Sequence, residues 1–544
     1  MLFSAAGGVK MSSKEIILVS GDVITLFKKQ ERAKTLVIRN GRIAAIDPPL
    51  PEKITNTPER EVINLGGRTV IPGLADCHVH FTHVGLSLIF PDFRQASSVA
   101  DILDGLSTAL RDHPRDEMLL GWNFDESLFR EKRLPTMEEL DTVSRKTPIW
   151  VNRIGMNTSV FNTKAWEKVN LPLSFASIPT GPAGKILGSV SGDANWVALA
   201  RVLNSLTDEV RMRAYRAAAA HVAEKGVTSI HAMEGCFSPN MPDRPDFACL
   251  EIPCFIQNRD GIDVGLAIWY QHIVDYEKDV ALVKRYGLSR IGGDAFTDGV
   301  LGAAFGPGVL RAGLFEPFHD DPSTRGDLLF KDEDIERFVS LSWEAGLQFS
   351  AHAVGDRAFA QLITAYEKAY KRKPGSGRFR VEHATLPDRS RLKKAIDMGV
   401  IFSMQPAFDY YSGGADGRYA KRVGPKRACL TNPFQEIIHQ GGMIVGGSDA
   451  PVNPIDPIFG IHCMVNHHYP EQRTSALEAL KAFTFNPAYS VFEDEKRGSI
   501  EVGKQADLAI LSENPLTMAP ARIKDIRVMM TFYEGRITYR SPAF

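Results

Sequence analysis

Short apolar runs separated by turns occupy both ends of the chain. Near the N-terminus the runs are "EIILVSGDVITLF", "TLVIRNGRIAAI" and "REVINLGGRTVIPG", and Asn40-Gly41 is a strong hairpin turn. The runs "GSIEVGKQADLAILS" and "IRVMMTFYEGRITYR" repeat the pattern near the C-terminus. We therefore predict one small β domain that is built from residues 1–70 and 496–544.

Between these ends, amphipathic helix patterns alternate with short apolar strands. "EVRMRAYRAAAAHVAEKG" precedes "VTSIHAM", and "DEDIERFVSLSWEAG" precedes "LQFSAHAVG". A helix, a glycine stop and an apolar strand indicate a repeated βα unit and an α/β fold. Polar residues follow the strands, so we expect them at the carboxyl rim of a barrel or an open sheet, where active sites of such folds lie.

Several strand ends carry side chains that bind metals. If "IPGLADCHVH" is a strand, His78 and His80 lie on the same face of it. They are then either two ligands of one metal ion or two polar residues on a solvated surface. Other apolar runs end in Asp294 and Asp298, in His352, in His383, and in Asp449. One such histidine alone is usually structural, and an aspartate before Ala-Pro is usually a turn residue. Together they favour a shared site for Zn²⁺ or a similar divalent ion.

Composition narrows the range of partners. The 544 residues exceed the usual size of one hydrophobic core. The 64 basic and 65 acidic residues nearly balance, which argues against nucleic acid or an anionic membrane as the main partner. The sequence contains no run of 18 apolar residues, so we predict no membrane span. The N-terminus does not have the pattern of a secretory signal. The six cysteines form no CxxC pair. We expect a cytoplasmic protein that acts on a small molecule.

These motifs resemble the amidohydrolase superfamily. "IPGLADCHVH", the histidines at 352 and 383, Asp449 and the later segment "GKQADLAIL" are similar to that superfamily's metal motifs and to its return to a β-sandwich. The resemblance implies a (β/α)8 TIM barrel over residues 71–495, with a small β-sandwich from both termini. It also implies a divalent metal, one or two ions per chain with zinc as the default, bound by six residues: His78, His80, Asp294, His352, His383 and Asp449.

Within the superfamily, the chain looks closest to the branch that contains the N-substituted formamide deformylases. "GWNFDESLF", "FTDGVLGA", "HAVGDRA", "VEHAT" and "SDAPVNPIDP" resemble that branch. His80 and Asp294 are 214 positions apart, whereas three βα units need about 90 residues. We therefore expect a large insertion after barrel strand 1, at about residues 90–200. In it, Trp122 and Asp125 are candidate substrate contacts, although Trp122 is equally well explained as insertion core.

Two positions depart from the branch. Relatives carry a lysine in a segment like "VKLFADG", where this chain has "GDAFTDG", so Asp294 stands at the lysine position. In family members that lysine can be carboxylated and bridge two metals. An aspartate can bridge a closer pair, bind one ion, or leave a second metal to other ligands. At the position of Asn157, a candidate substrate contact, relatives often have a histidine. Because this replacement changes the hydrogen-bond pattern, the substrate of the relatives is not assigned to this chain.

Other polar residues near the strand ends are less specific. Asp298 is a further candidate for substrate binding. His231 is a candidate substrate contact or ligand, with a core histidine as an equal alternative, and Glu234 is another carboxylate that could reach the site. We expect His83 to be a solvent-facing loop residue.

The resemblance implies hydrolysis of a C–N bond in an amide, formamide or cyclic amide by metal-activated hydroxide, with Asp449 as the acid/base. One alternative is a deaminase that acts on an aromatic or heterocyclic amine. Another is a barrel that binds a metal or small molecule without catalysis. A homodimer is the assembly that the family resemblance allows.

Overall fold

The structure is a computed structural model. It describes residues 14–544 except positions 52, 114–116, 155, 157, 172–177, 181–185, 236–250, 272–274, 296, 302–309 and 376. Among the described residues, no helix is long and apolar enough to cross a membrane. Four of the six cysteines fall in the described part, where Cys77, Cys254, Cys429 and Cys463 are free thiols.

The N-terminal segment forms strands that belong to two sheets. They are β1 (Glu15–Val19), β2 (Asp22–Ile24), β3 (Arg32–Ala33), β4 (Leu36–Arg39), β5 (Arg42–Ile46), β6 (Arg60–Asn64) and β7 (Thr69–Pro72). The predicted Asn40-Gly41 turn joins β4 to β5, and both of its residues have positive φ. β5, β4, β1 and β6 make one sheet, while β7, β2 and β3 join another.

After barrel strand β8 (Leu74–Val79) the chain enters the insertion. Its described strands are β9 (Leu119–Phe124), β10 (Ile149–Arg153), β11 (Thr158–Phe161) and β12 (Ser189–Ser191), which form a sheet in the order β12-β11-β10-β9. Apolar side chains of this sheet and of the neighbouring helices form a hydrophobic core separate from that of the barrel.

The chain then returns to the barrel sheet. The remaining described barrel strands are β13 (Val227–Glu234), β14 (Gly265–Tyr270), β15 (Arg290–Ile291), β16 (Gln348–Ala353), β17 (Arg380–His383), β18 (Ile401–Met404) and β19 (Met443–Gly446). With β8 they form, in the described part of the chain, an eight-stranded parallel sheet in sequence order. A parallel bridge between Val79 and Ala450 brings its two edges together. The predicted (β/α)8 barrel is confirmed.

Helices cover the barrel and the insertion. Those of the first half are α1 (Phe81–Ile89), α2 (Val99–Leu110), α3 (Met137–Val143), α4 (Thr163–Val169), α5 (Gly192–Asn204), α6 (Asp208–Glu224), α7 (Glu251–Asn258) and α8 (Tyr276–Arg285). Those of the second half are α9 (Asp332–Glu344), α10 (Asp356–Arg372), α11 (Arg389–Asp397), α12 (Ala407–Ser412), α13 (Arg418–Val423), α14 (Pro425–Ala428), α15 (Phe434–His439), α16 (Pro457–Val465), α17 (Ala476–Ala482) and α18 (Phe485–Ser490).

The C-terminal segment completes the small β domain. β20 (Leu508–Leu511), β21 (Val528–Tyr533) and β22 (Arg536–Arg540) extend the sheet of β7, β2 and β3. Buried residues from both ends of the chain pack together in its core, among them Leu18, Leu36, Leu508 and Phe532. The domain predicted from both termini is present, and β7 leads directly into barrel strand β8.

Candidate metal centre

Six side chains from the predicted ligand set meet at the carboxyl ends of the barrel strands. Their donor atoms fall into three overlapping groups, each with all atoms within 4.8 Å of one another. The groups are His78, His80 and Asp294; His78, His383 and Asp449; and Asp294, His352 and His383. These residues lie at or just after the carboxyl ends of five strands, β8, β15, β16, β17 and β19. The parallel sheet therefore brings them together.

One detail of the HxH motif differs from simple strand alternation. Strand β8 ends at Val79, and His80 is the cap residue of helix α1 with φ −84° and ψ 77°. The backbone therefore turns between the two histidines. Both Nε2 atoms still face Asp449, because Nε2 of His80 lies 3.3 Å and Nε2 of His78 lies 3.5 Å from its Oδ1.

Asp294 lies at the centre of the four histidines. Its Oδ1 is 3.1 Å from Nε2 of His383, 3.2 Å from Nδ1 of His352 and 3.8 Å from Nε2 of His78. Its Oδ2 is 3.8 Å from Nε2 of His80. Burial opposes its charge, but His78, His352 and His383 hold the pKa of Asp294 well below its usual range. The carboxylate is thus ionised and shared by both halves of the cluster.

Hydrogen bonds on the outer side of three imidazoles fix their tautomers. His78 Nδ1 is 2.8 Å from Glu382 Oε2, His383 Nδ1 is 2.7 Å from Gln405 Oε1, and His352 Nε2 is 3.3 Å from the carbonyl of Gly299. These oxygens accept, so the facing ring nitrogens carry the protons. The other nitrogen of each ring is then left with its lone pair directed at Asp294 or Asp449, as in metal-ligating histidines.

This arrangement fits a cation between the side chains. Nε2 of His78 is buried and has no hydrogen-bond partner among the described residues. An imidazole lone pair and a carboxylate that face each other repel each other unless a positive charge lies between them. Protons serve this purpose without metal: burial lowers the pKa of His78, but Asp294, Glu382 and Asp449 raise it to about 9. Burial also opposes the charge of His352, whose pKa Asp294 and Asp298 raise to about 10.

Two residues of the cluster have left-handed backbone conformations that non-glycine residues seldom adopt. His383 has φ 71° and Asp449 has φ 62°. The backbone N–H of Asp449 donates to the carbonyl of His78 over 2.8 Å, which holds the end of β19 against β8. Strain of this kind persists where the surroundings over-determine the backbone, and it is concentrated at functional sites.

The structure shows the surroundings of two of the three candidate substrate residues in the insertion. Trp122 is fully buried in the insertion core, with its ring centroid 4.9 Å from that of Trp150 and 6.0 Å from that of His83. The carboxylate of Asp125 accepts a hydrogen bond from the backbone N–H of Ser127 in a turn. Asn157 lies outside the described residues.

Two candidates in the barrel form hydrogen bonds to protein groups, and Nε2 of His231 has no hydrogen-bond partner among the described residues. Nδ1 of His231 accepts from Arg380 over 2.8 Å, and burial together with Arg380 holds its pKa well below the usual range. The carboxylate of Asp298 is fully buried and accepts the backbone N–H groups of Gly313, Val354 and Gly355 at 2.8, 3.0 and 2.8 Å. It supports the loops around His352 instead of facing open space.

Two further expectations change in the structure. His83 was expected on a solvent-facing loop, but it lies buried in the first turn of α1, where burial and His80 lower its pKa to about 3. That prediction was wrong because the helix begins directly after strand β8. Glu234 ends β13 and accepts from the N–H and hydroxyl of Thr82, at 3.2 and 2.7 Å, so it anchors the start of α1.

Sequence reasoning missed the residues that hold the ligands from behind. Glu382 and Gln405 accept from His78 and His383, and Arg380 pairs with Glu382. A signal was present in "FRVEH", since Arg380 and Glu382 interrupt a buried strand at alternate positions. Charged residues on one face of such a strand are rarely buried without a partner.

Comparisons with known proteins agree with this geometry. A family model described as "Amidohydrolase family" matches residues 61–539. The protein YtcJ of Bacillus subtilis (strain 168) is 25% identical over 95% of this chain and 98% of its own length. The N-substituted formamide deformylase of Arthrobacter pascens is 23% identical over 97% and 98%. An uncharacterized metal-dependent hydrolase from Pyrococcus horikoshii OT3 has the same fold, with a TM-score of 0.73, 23% identity, and coverage of 93% and 99%.

Proposed function

The chain belongs to the amidohydrolase family, and from that membership we propose that it hydrolyses a carbon–nitrogen bond in an amide, formamide or cyclic amide. The family predicted from the sequence is thereby confirmed. The finer proposal is supported by the relative that is named as an N-substituted formamide deformylase. The observation that carries it is the convergence of four imidazoles on Asp294 and Asp449.

The donor set suggests how one or two divalent ions, with zinc as the default, would be held. His78, His80 and Asp449 would bind on one side, His352 and His383 on the other, with Asp294 between them. When bound, such an ion lowers the pKa of water and polarises a carbonyl. The family habit of binding a divalent metal and the chemistry of these donors support this assignment.

Asp449 is the residue we assign to proton transfer. Its side chain is 12% exposed, more than that of the other residues in the cluster, so it is the carboxylate that water and substrate reach first. It would accept a proton from the attacking water as the new C–O bond forms. It would then deliver that proton to the nitrogen as the C–N bond breaks, which leaves a carboxylic acid and an amine.

Asp449→Asn tests this assignment. The amide keeps the shape and one coordinating oxygen but cannot accept the proton, so we expect kcat to fall about 10²- to 10⁴-fold while most of the metal is retained. Asp416→Asn, at an exposed position, is the control. The assay follows amine release from a panel of N-substituted formamides, acetamides and cyclic amides, and elemental analysis gives the metal content.

The same panel separates the proposal from its alternatives. Aromatic and heterocyclic amines are included, and release of ammonia from them without amide cleavage would replace the proposal with a deaminase. A fully metal-loaded protein that turns over no amide and no amine would instead favour a binding role. Undiminished turnover by Asp449→Asn would remove Asp449 from the acid/base role.

A further inference from the structure

A buried ion pair lies behind the histidine ligands, inside the barrel. Arg380 and Glu382 are both fully buried on strand β17, and two hydrogen bonds of 2.9 Å join the guanidinium to the carboxylate. The guanidinium also lies 4.7 Å above the ring of Trp269. Barrel interiors are usually filled by branched apolar side chains, so a full charge pair at this level needs an explanation.

The pair contacts several strands at once. Arg380 donates to Nδ1 of His231 on β13, to the carbonyl of Cys77 on β8 and to the hydroxyl of Ser403 on β18, each over 2.8 Å. Ser350 on β16 donates a short hydrogen bond to Oε1 of Glu382. Together with β17 itself, five barrel strands are tied to this one pair.

The pair contacts the metal centre through Glu382. Its Oε2 accepts from Nδ1 of His78 over 2.8 Å, while Arg380 holds the same oxygen on its other side. Because the carboxylate cannot rotate away from Arg380, the imidazole plane of His78 is fixed as well. The carbonyl of Cys77, one residue before His78, is held by the same guanidinium.

A purely structural role does not account for this choice of residues. Desolvation of two charges is so costly that replacing a buried ion pair with apolar residues of similar volume is often neutral or stabilising. A carboxylate behind a ligand histidine, in contrast, sets its tautomer and raises its basicity. We propose that Glu382 and Arg380 are positioning residues that keep Nε2 of His78 directed at the bound ion. This inference rests on the proposed metal-dependent function.

Two variants test the proposal. Glu382→Gln keeps the shape and an acceptor but removes the charge, and we expect metal affinity to fall about 10-fold. The double variant R380M/E382L removes the acceptor and both charges. It also leaves the buried partners of the pair on β8, β13, β16 and β18 without a hydrogen bond, so we expect lower thermal stability of the metal-free protein. We expect metal affinity about 10- to 100-fold lower.

The readouts are metal affinity, measured by chelator competition, and the visible absorption spectrum of the Co²⁺-loaded protein. A structural role alone would leave that spectrum unchanged, because it reports on ligand geometry. The matched control is R497M/D507L, which removes another buried ion pair with an N–O distance of 3.2 Å. Neither residue of that pair belongs to the candidate metal centre. We expect its folded fraction to bind Co²⁺ with the wild-type spectrum.

The outcomes separate this inference from the proposed function. Weaker binding and an altered Co²⁺ spectrum in the Glu382 variants, but not in the control, support the positioning role. Wild-type affinity and spectrum in both Glu382 variants overturn it and leave the hydrolase proposal intact. A wild-type protein that binds no divalent metal overturns both.

Discussion

At the scale of single residues, the histidines of the candidate metal centre depend on partners outside the predicted ligand set. Asp298 is the clearest case beside Glu382: it lies 3.4 Å from Nε2 of His352 and accepts the N–H groups of Gly313, Val354 and Gly355. One buried carboxylate therefore fixes both the imidazole and the backbone that follows β16. Charge-assisted bonds of this kind are roughly twice as strong as neutral ones.

Replacement of Asp298 by asparagine tests this role. The amide presents one oxygen and an N–H₂ group to backbone N–H donors, so at least one buried donor loses its partner. We expect the free energy of unfolding to fall by about 2–3 kcal/mol, measured by urea denaturation. Asp416→Asn is the control at an exposed aspartate. A loss below about 0.5 kcal/mol, the range of ordinary surface substitutions, would contradict the anchoring role.

At the scale of elements, the position of α1 determines where His80 points. The helix starts directly after His80 and crosses α6 so closely that a Cβ on Gly85 would lie 2.3 Å from the carbonyl oxygen of Ala214. Glu234 at the end of β13 holds the first turn of α1 through Thr82. Helix α6 and strand β13 therefore fix one residue of the candidate metal centre.

Gly85→Ala tests this dependence. Alanine favours a helix over glycine by about 1 kcal/mol, but the contact with backbone atoms of Ala214 cannot be relieved by rotation of a side chain. We expect the steric cost to exceed the gain, with a net destabilisation of about 1–2 kcal/mol and weaker metal binding, since His80 moves with α1.

A matched glycine provides the control. A Cβ on Gly261 would meet no atom within 4 Å, so Gly261→Ala should leave stability and metal affinity unchanged. Both variants are compared by thermal denaturation with and without added metal. An unchanged or raised melting temperature for Gly85→Ala would contradict the prediction, because it would show that α1 can move away from α6 without loss of stability.

At the scale of the whole molecule, sequence periodicity predicted the architecture because each part has its own pattern. Apolar runs with turns at both ends predicted a small β domain, and helix–glycine–strand units predicted a βα repeat in a barrel or an open sheet. The family resemblance narrowed these predictions to a β-sandwich and a (β/α)8 barrel. The 214-position separation of His80 from Asp294 predicted the insertion, whose described part has its own sheet and core. The strand and helix patterns are local in sequence, whereas the insertion was predicted from the long spacing between two motifs.

The outer partners of the site could not be predicted in the same way. His78 and Glu382 are 304 positions apart, and Arg380 joins strands that are separated by much of the chain. Trp122 and Asp298 each stand in a motif that resembles the family, and their burial could not be predicted from that motif. The start of α1 at His80 also required tertiary contacts, since no side-chain cap marks it.

The proposed metal centre depends most on Asp294, which belongs to two of its three groups of donor atoms. The most direct measurement is elemental analysis of protein purified without chelator, for the wild type, Asp294→Ala and the exposed-site control Asp416→Ala. We predict one or two divalent ions per wild-type chain, the same content in the control, and the loss of at least one ion in Asp294→Ala. A wild type without metal, or full metal content in Asp294→Ala, would contradict the account.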